Sequence, residues 1–282
     1  MKNVGVIGGG TMGAGIAEVV AKAGSTVRVL ERAEAVDAAR ERIAKSLARG
    51  VKAGKLSQED ADAALARVTV TTDIDSFADS DLVIEAMPEI ESLKLEYFHK
   101  LDAIIREDAI LATNTSSIPV IRLANATKHP ARVLGMHFFN PVPVMPLVEI
   151  VTTLKVDRAV VDKVAAYATD ILGKTTIESK DQAGFIVNAL LIPYLTNAIR
   201  MYESGFASAE DIDAGMVNGC GHPMGPLRLC DTVGLDICLA VAESLFAEFG
   251  QPHYAPPVLL RRMVDAGYLG RKTGRGFYDY SK

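Results

Sequence analysis

The chain has 282 residues, of which 49% are hydrophobic and 23% charged, and its formal net charge is −5. This composition is typical of a globular protein long enough for two domains, and the acidic balance argues against nucleic acid as a main partner. No apolar run approaches the ~20 residues that span a bilayer, so we expect no membrane partner. The chain opens directly on a strand pattern, which predicts a cytoplasmic protein. The three cysteines lack zinc-ligand spacing, and we expect no metal.

A glycine-rich turn follows the first strand pattern. Gly8, Gly10 and Gly13 have the G-x-G-x-x-G spacing, and Thr11 and Met12 open the helix pattern that follows. The first glycine permits a tight turn, the second lets a pyrophosphate approach the backbone, and the third lets the helix pack close to the strand. The helix N-terminus favours the same anion. The stretch predicts a dinucleotide site, and the alternative is a structural turn in another α/β protein.

An acid follows the second strand pattern. Glu31 comes directly after residues 26–30 and 21 residues after Gly10, close to the ~20 expected of a ribose ligand. A carboxylate at this point hydrogen-bonds a free ribose and repels a 2′-phosphate. We therefore expect NAD, with NADP less favoured.

Strand and helix patterns then alternate as far as residue 137. The further strands are predicted at 68–71, 81–85, 109–112 and 132–137, and the helices between them at 33–54, 57–66, 90–105 and 120–124. This alternation predicts an α/β fold with a doubly wound, mostly parallel sheet.

The alternation stops near residue 184. Helices are predicted at 185–203, 208–218, 233–249 and 256–266, several with a broad apolar face. We therefore predict a nucleotide-binding domain over 1–183 and an all-α domain over 184–282. A hydrophobic helical unit of ~100 residues often completes its core on another subunit, so we expect a homodimer formed through this domain.

Two polar clusters, at 114–117 and 137–140, end predicted strands. Ligands of open α/β sheets bind beyond the carboxyl ends of the strands, so both clusters fall on the edge that carries the glycine turn. The hydroxyls of Ser116 and Ser117 could hydrogen-bond a substrate carbonyl or alcohol, or they could cap the short helix that starts near Pro119.

His137 differs from the other four histidines because it ends a buried strand pattern. Twelve residues later, Glu149 lies inside an apolar strand pattern, where an unpaired carboxylate would be costly. If the two strands run antiparallel, His137 is its nearest partner. Such a pair fixes the imidazole tautomer of a general base, although a purely structural pair fits the pattern equally well. Asn188 interrupts another apolar stretch, which indicates either a cleft between the domains or a buried asparagine bonded to backbone.

Seven sequence motifs, spread over the whole length of the chain, together resemble those of one protein family. They lie at 8–16, 82–86, 114–117, 135–143, 184–188, 222–226 and 269–280. The chain is similar to the short-chain 3-hydroxyacyl-CoA dehydrogenases of the 3-hydroxybutyryl-CoA dehydrogenase type. The resemblance implies a Rossmann-type domain followed by a helical domain that dimerises.

The resemblance also implies an activity and a set of site residues. The activity is NAD-dependent oxidation of an (S)-3-hydroxyacyl-CoA to a 3-ketoacyl-CoA, or the reverse. His137 would be the general base and Glu149 its orienting partner. Ser116 would contact the substrate oxygen or the nicotinamide, and Asn188 would position the thioester side of the substrate. The residues expected along the cofactor, besides the glycine turn, are Glu31, Glu89, Lys94, Asn114, Asn140 and Lys272. Cations for the phosphates of coenzyme A are expected at Arg49, Lys52 and Lys55, where a solvated helix end is the alternative.

Two other functions remain open from the sequence. One is a related dehydrogenase of free 3-hydroxy acids or sugar acids. The other is a non-catalytic relative that binds NAD as a structural or sensing ligand. The joint presence of Ser116, His137, Glu149 and Asn188 argues against the second of these.

Overall fold

Eight strands form one sheet within residues 1–281, the part of the chain described by this computed structural model. They are β1 (Asn3–Ile7), β2 (Thr26–Leu30), β3 (Val68–Thr71), β4 (Leu82–Glu85), β5 (Ile110–Thr113), β6 (Val133–Phe138), β7 (Leu147–Thr152) and β8 (Thr175–Lys180). Their order across the sheet is β3-β2-β1-β4-β5-β6-β7-β8. Strands β1 to β6 pair in parallel, which confirms the predicted fold class.

The last two strands reverse the direction of the sheet. Strand β7 pairs antiparallel with β6, and β8 pairs parallel with β7. No strand is predicted from the sequence at 175–180, because this segment at the sheet edge is largely polar and has no continuous apolar run.

Six helices accompany the sheet. They are α1 (Thr11–Lys22), α2 (Val36–Lys52), α3 (Gln58–Ala66), α4 (Glu91–Ile104), α5 (Val120–Asn125) and α6 (Arg158–Ala166), the last continued by a π-helical turn over Tyr167–Ile171. Helix α3 begins where predicted, because the Ser57 Oγ accepts a hydrogen bond of 3.0 Å from the Asp60 N–H. The long polar helix predicted from residue 33 starts as a short 3₁₀ turn and becomes α-helical at Val36.

The chain divides into two compact units, Met1–Asp181 and a second unit that begins at Gln182. The second unit contains five helices in the described residues, α7 (Val187–Glu203), α8 (Ala209–Cys220), α9 (Pro226–Val233), α10 (Leu235–Phe249) and α11 (Val258–Asp265). Its core includes the fully buried side chains of Leu195, Leu227 and Leu245. The boundary between 183 and 184 stays a prediction.

Helix α9 is one element that the sequence pattern did not predict. It has only eight residues, starting at Pro226, so it shows too little apolar periodicity to identify. Its Asp231 accepts hydrogen bonds from the N–H groups of Phe277 and Tyr278, at 2.9 and 3.0 Å. The segment near the end of the chain is thereby fixed to this unit. No helix within residues 1–281 has the length and apolarity needed to cross a membrane.

Candidate active site

The glycine turn lies between β1 and α1, at the carboxyl edge of the parallel strands. A Cβ on Gly13 would lie 1.8 Å from the Gly8 carbonyl oxygen, so the close packing of turn and helix requires glycine there. Gly10 is different, because a Cβ on it would meet no atom within 4 Å. Gly10 is also the N-cap of α1, and no side chain caps this helix end. An exposed glycine at an uncapped helix N-terminus suits the close approach of a pyrophosphate, so these residues fit a dinucleotide.

Glu31 follows β2 and contacts the same turn. Its Oε2 accepts a hydrogen bond of 2.9 Å from the Gly9 N–H, and its Oε1 accepts one of 2.9 Å from the Arg32 N–H. The Arg42 guanidinium, on α2, donates to the Gly9 carbonyl oxygen. The backbone N–H and carbonyl of Gly9 are therefore both held by charged side chains. The Glu31 side chain remains 17% exposed, so a ligand can still reach it.

Strands β4, β5 and β6 end side by side next to the turn. Glu85, the last residue of β4, pairs with Ile7 of β1 and with Thr113 of β5. Asn114 follows β5, and its Oδ1 accepts a hydrogen bond of 2.8 Å from the Phe138 N–H of β6. This side chain therefore joins the ends of two strands directly beside His137.

His137 and Glu149 face each other across β6 and β7. They are directly paired in the antiparallel register, as the sequence predicted. The Nδ1 of His137 lies 2.7 Å from Oε2 of Glu149, and their side chains are only 7% and 0% exposed. The aromatic ring of Phe139 lies 4.6 Å from the imidazole, measured between ring centroids. A neutral imidazole that donates from Nδ1 to this carboxylate has its lone pair on Nε2.

The turn at 115–117 resolves one alternative left open by the sequence. No side-chain hydroxyl caps α5, whose N-cap is Pro119. Instead the carboxylate of Asp181 accepts hydrogen bonds from the Val120 and Ile121 N–H groups, at 2.9 and 2.7 Å. Asp181 is far away in sequence, which is why the short helix pattern did not reveal it. The suggestion that the serines cap this helix is therefore wrong, and Ser116 is half-buried in the turn.

Glu89 and Lys94 lie next to this turn. The Nζ of Lys94 is 2.8 Å from Oε2 of Glu89 and 3.0 Å from Oε1 of Glu85. Burial raises the pKa of Glu85 despite the charge of Lys94. Burial acts in the same direction on the pKa of Glu89, but the charge of Lys94 and hydrogen bonds from Lys94, Thr115 and Ser117 outweigh it and lower that pKa.

Of the remaining predicted residues, one follows β6 and two belong to the second unit. Asn140 is exposed just beyond β6, at the start of the turn that leads to β7. Asn188 is half-buried in the first turn of α7. Lys272 forms an ion pair with Asp236, with its Nζ 2.6 and 2.7 Å from the two carboxylate oxygens. The cofactor and substrate roles given to these residues stay predictions.

The predicted coenzyme A cations form an exposed group at one end of α2. Arg49 and Lys52 lie in its last turn and Lys55 follows it. Cations are also favoured at a helix C-terminus by its dipole, so both interpretations of these residues stay open. Within residues 1–281, no cluster of three or more histidine, cysteine and acidic side chains could hold a metal ion.

Glu85 and Thr115 are site residues that the sequence analysis missed. Glu85 accepts hydrogen bonds from the Thr113 Oγ1 and the Met87 N–H, at 2.7 and 2.6 Å. A signal for it was present, because Glu85 ends an apolar strand, as Glu149 interrupts one. The argument that a buried acid needs a partner applies to both.

The fold and the glycine turn define an α/β protein with a domain that fits a dinucleotide. Comparison with known proteins makes the assignment specific. Residues 3–182 match the family model of the 3-hydroxyacyl-CoA dehydrogenase NAD binding domain, and residues 184–280 match that of the 3-hydroxyacyl-CoA dehydrogenase C-terminal domain. The chain belongs to the 3-hydroxyacyl-CoA dehydrogenase family, which confirms the resemblance found in the sequence.

Individual relatives agree with this assignment. A 3-hydroxybutyryl-CoA dehydrogenase of Mycobacterium tuberculosis is 55% identical over 282 residues, covering 99% of each chain. Another, from Bradyrhizobium diazoefficiens, is 43% identical and covers 99% of this chain and 96% of the relative. The crystal structure of (S)-3-hydroxybutyryl-CoA dehydrogenase from Ralstonia eutropha has a TM-score of 0.94 at 46% identity, with 100% of both chains covered.

Proposed function

We propose that this chain interconverts (S)-3-hydroxybutyryl-CoA and acetoacetyl-CoA, with NAD as the cofactor and His137 as the general base. The observation that carries the proposal is the buried contact of 2.7 Å between His137 Nδ1 and Glu149 Oε2, at the strand edge that also bears the glycine turn. The substrate is proposed from the relatives, which are named as 3-hydroxybutyryl-CoA dehydrogenases.

The reaction transfers a hydride and a proton, and a different group receives each of them. Bound NAD⁺ supplies an acceptor for the hydride that leaves C3 of the substrate. His137 takes the proton of the C3 hydroxyl on Nε2 as the C3–H bond breaks, so that no full negative charge develops on the oxygen. Glu149 accepts the hydrogen bond from Nδ1–H, which orients the ring and stabilises the imidazolium. In the reverse direction His137 returns the proton to the carbonyl oxygen.

Ser116 and Asn188 complete the proposed substrate contacts. Ser116 lies in the turn that follows β5, and we assign its hydroxyl to the substrate oxygen or the nicotinamide. Asn188 is assigned to the thioester end of the substrate. Arg49, Lys52 and Lys55 are the proposed cations for the phosphates of coenzyme A.

Absorbance at 340 nm tests the reaction directly. NADH oxidation is followed with acetoacetyl-CoA and, in parallel, with free acetoacetate at the same concentration. Turnover of the thioester alone is the expected result. Turnover of only the free acid would instead support a dehydrogenase of free 3-hydroxy acids. Tight NADH binding with no turnover of either compound would point to a non-catalytic relative.

The preference for NAD is proposed from Glu31. A carboxylate at this position repels a 2′-phosphate and can hydrogen-bond a free ribose. Glu31→Ala should weaken NADH binding about tenfold, the value of one hydrogen bond to a charged group, and reduce the preference over NADPH. Titrations followed by the fluorescence of bound NADH and of bound NADPH measure the two affinities. Unchanged affinities for both cofactors would remove Glu31 from this role.

A homodimer through the second unit belongs to the same proposal. Large apolar side chains in this unit are exposed, among them Leu190 at 73%, Phe206 at 79% and Val258 at 63%. Apolar side chains this exposed are common at subunit interfaces. Light scattering should give twice the mass of one chain, and a monomer mass at micromolar concentration would contradict the proposal. The cytoplasmic location stays a prediction.

A further inference from the structure

An ion network lies between β4 and α4, with Lys94 and Glu85 buried and the Glu89 side chain 35% exposed. The Lys94 side chain is 1% exposed, and its ammonium contacts two carboxylates, Glu85 at 3.0 Å and Glu89 at 2.8 Å. Glu85 is fully buried at the end of β4. An ammonium enclosed in this way has little surface left for a ligand, although the sequence analysis places Lys94 along the cofactor.

The other oxygen of Glu89 organises the turn at 115–117. Its Oε1 accepts hydrogen bonds from the Ser116 N–H at 3.2 Å, the Ser117 N–H at 3.1 Å and the Ser117 Oγ–H at 2.8 Å. The Thr115 Oγ–H also donates to it. One carboxylate oxygen therefore receives four donors from three consecutive residues, including the serine assigned to the substrate.

The network also secures both ends of this turn. Glu85 accepts the Thr113 hydroxyl at 2.7 Å, at the end of β5. The Thr115 Oγ1 accepts a hydrogen bond of 2.9 Å from the Ile118 N–H. Since Thr115 is 1% exposed, it can influence a ligand only through the backbone that it holds.

We propose that Lys94, Glu89 and Thr115 are positioning residues. Lys94 holds the Glu89 carboxylate in place, and this carboxylate together with the Thr115 hydroxyl sets the conformation of 115–117 and hence the position of Ser116. The inference rests on the proposed function, in which Ser116 contacts the reacting groups. A displacement of about 1 Å at such a residue can lower the rate up to a hundredfold.

Two pairs of variants test this role. Thr115→Val keeps the side-chain shape and every charge but removes the hydroxyl, whereas Thr115→Ser retains it. Lys94→Met removes the ammonium and Lys94→Arg keeps a cation. Lys100→Met is the matched control on the same helix, since Lys100 forms an exposed pair with Glu96, the two side chains being 51% and 54% exposed, and lies over the Tyr97 ring at 5.5 Å.

In the assay with acetoacetyl-CoA and NADH, kcat should fall about tenfold in Thr115→Val and Lys94→Met. The NADH dissociation constant should stay within about twofold of wild type in Thr115→Val, since this buried hydroxyl contacts no cofactor in the proposal. Thr115→Ser and Lys94→Arg should recover most of the rate. The double variant Thr115→Val/Lys94→Met should be no slower than the worse single variant, because both act through one carboxylate.

Amide hydrogen exchange tests the same role without activity. The Ser116 and Ser117 amides should exchange faster in Thr115→Val and Lys94→Met than in wild type and Lys100→Met. In both variants the Glu89 carboxylate that accepts their hydrogen bonds is held less firmly. A wild-type protein that does not reduce acetoacetyl-CoA would disprove the proposed function, and the exchange result would still decide whether the network holds the turn.

Three results would overturn the inference. The first is unchanged kcat in Thr115→Val together with unchanged exchange at 116 and 117. The second is a Lys94→Met variant that only weakens NADH binding, which would make Lys94 a direct cofactor contact. The third is a fully additive loss in the double variant. Lys94→Met leaves two acidic side chains without their cation and can prevent folding, and in that case Thr115→Val, which keeps every charge, decides the question.

Discussion

Two histidine–carboxylate contacts lie at opposite ends of strand β6. At its start, His129 Nδ1 is 3.1 Å from Asp102 Oδ1, and the His129 side chain is 41% exposed. Near its end, His137 Nδ1 is 2.7 Å from Glu149 Oε2, and the His137 side chain is 7% exposed. The residue types are equivalent, but the surroundings of the two contacts are different.

The Asp102 carboxylate has a structural role. It accepts hydrogen bonds from Arg132 Nη2 and from the Lys128 N–H, both at 2.7 Å. Burial would raise its pKa, but the hydrogen bonds from Arg132, Lys128 and His129 lower it below its ordinary value. This contact connects α4 to the start of β6, at the edge away from the glycine turn. A histidine–carboxylate pair therefore does not identify a site by itself; its position on the sheet edge must be known too.

The largest effect that separates the two contacts is on catalysis. His137→Gln should lower kcat for acetoacetyl-CoA reduction about 10³- to 10⁴-fold, because His137 acts as the general acid in this direction and general acid–base catalysis contributes up to about 10⁴-fold. NADH affinity, measured by its fluorescence, should stay nearly unchanged. His129→Gln is the matched control and should keep the wild-type kcat within about twofold. Surviving activity in His137→Gln would exclude His137 as the base.

Glu149→Gln should have the next largest effect. An amide in place of the carboxylate can still fill the site, but it cannot stabilise the imidazolium that forms on His137. We expect kcat to fall about 10²-fold, less than for His137→Gln, with NADH binding retained. A steady-state comparison of the single and double variants checks the coupling. Independent, multiplicative losses would show that Glu149 does not act through His137.

Asp102→Asn should affect stability and leave catalysis intact. Loss of a charged partner of Arg132 should cost about 2 kcal/mol at pH 7, which corresponds to a fall in Tm of about 4–8 °C. Because the folded pKa of Asp102 is lowered, its contribution is present above its unfolded pKa of about 4 and is lost as the pH falls through the folded value.

Thermal unfolding of wild type and Asp102→Asn at pH 7 and at acid pH measures this dependence. The difference in Tm should shrink at acid pH, and a difference that grows there would contradict the pKa direction. A fall in kcat together with the fall in Tm would indicate that the Asp102 contact, like that of His137, contributes to catalysis.

The sequence by itself determined the class of fold and the place of the site. The alternation of apolar strands and helices fixes a parallel sheet, and residues that follow the strands share its carboxyl edge, so the glycine turn, Glu31, Asn114 and His137 could be placed from local patterns. The pairing of His137 with Glu149 was also predictable, because a turn of few residues between two strands favours an antiparallel neighbour.

Only the tertiary structure decided which distant groups complete these elements. Asp181 caps α5 from about 60 residues away in sequence. Glu89 accepts hydrogen bonds from the turn at 115–117, which is 26 to 28 residues away in sequence. Hydrogen bonds of this kind leave no periodic signal along the chain, since they depend on where folded elements meet. The polar edge strand β8 and the short helix α9 were not predicted for a related reason. Packing against neighbours determines their conformation more than local propensity does.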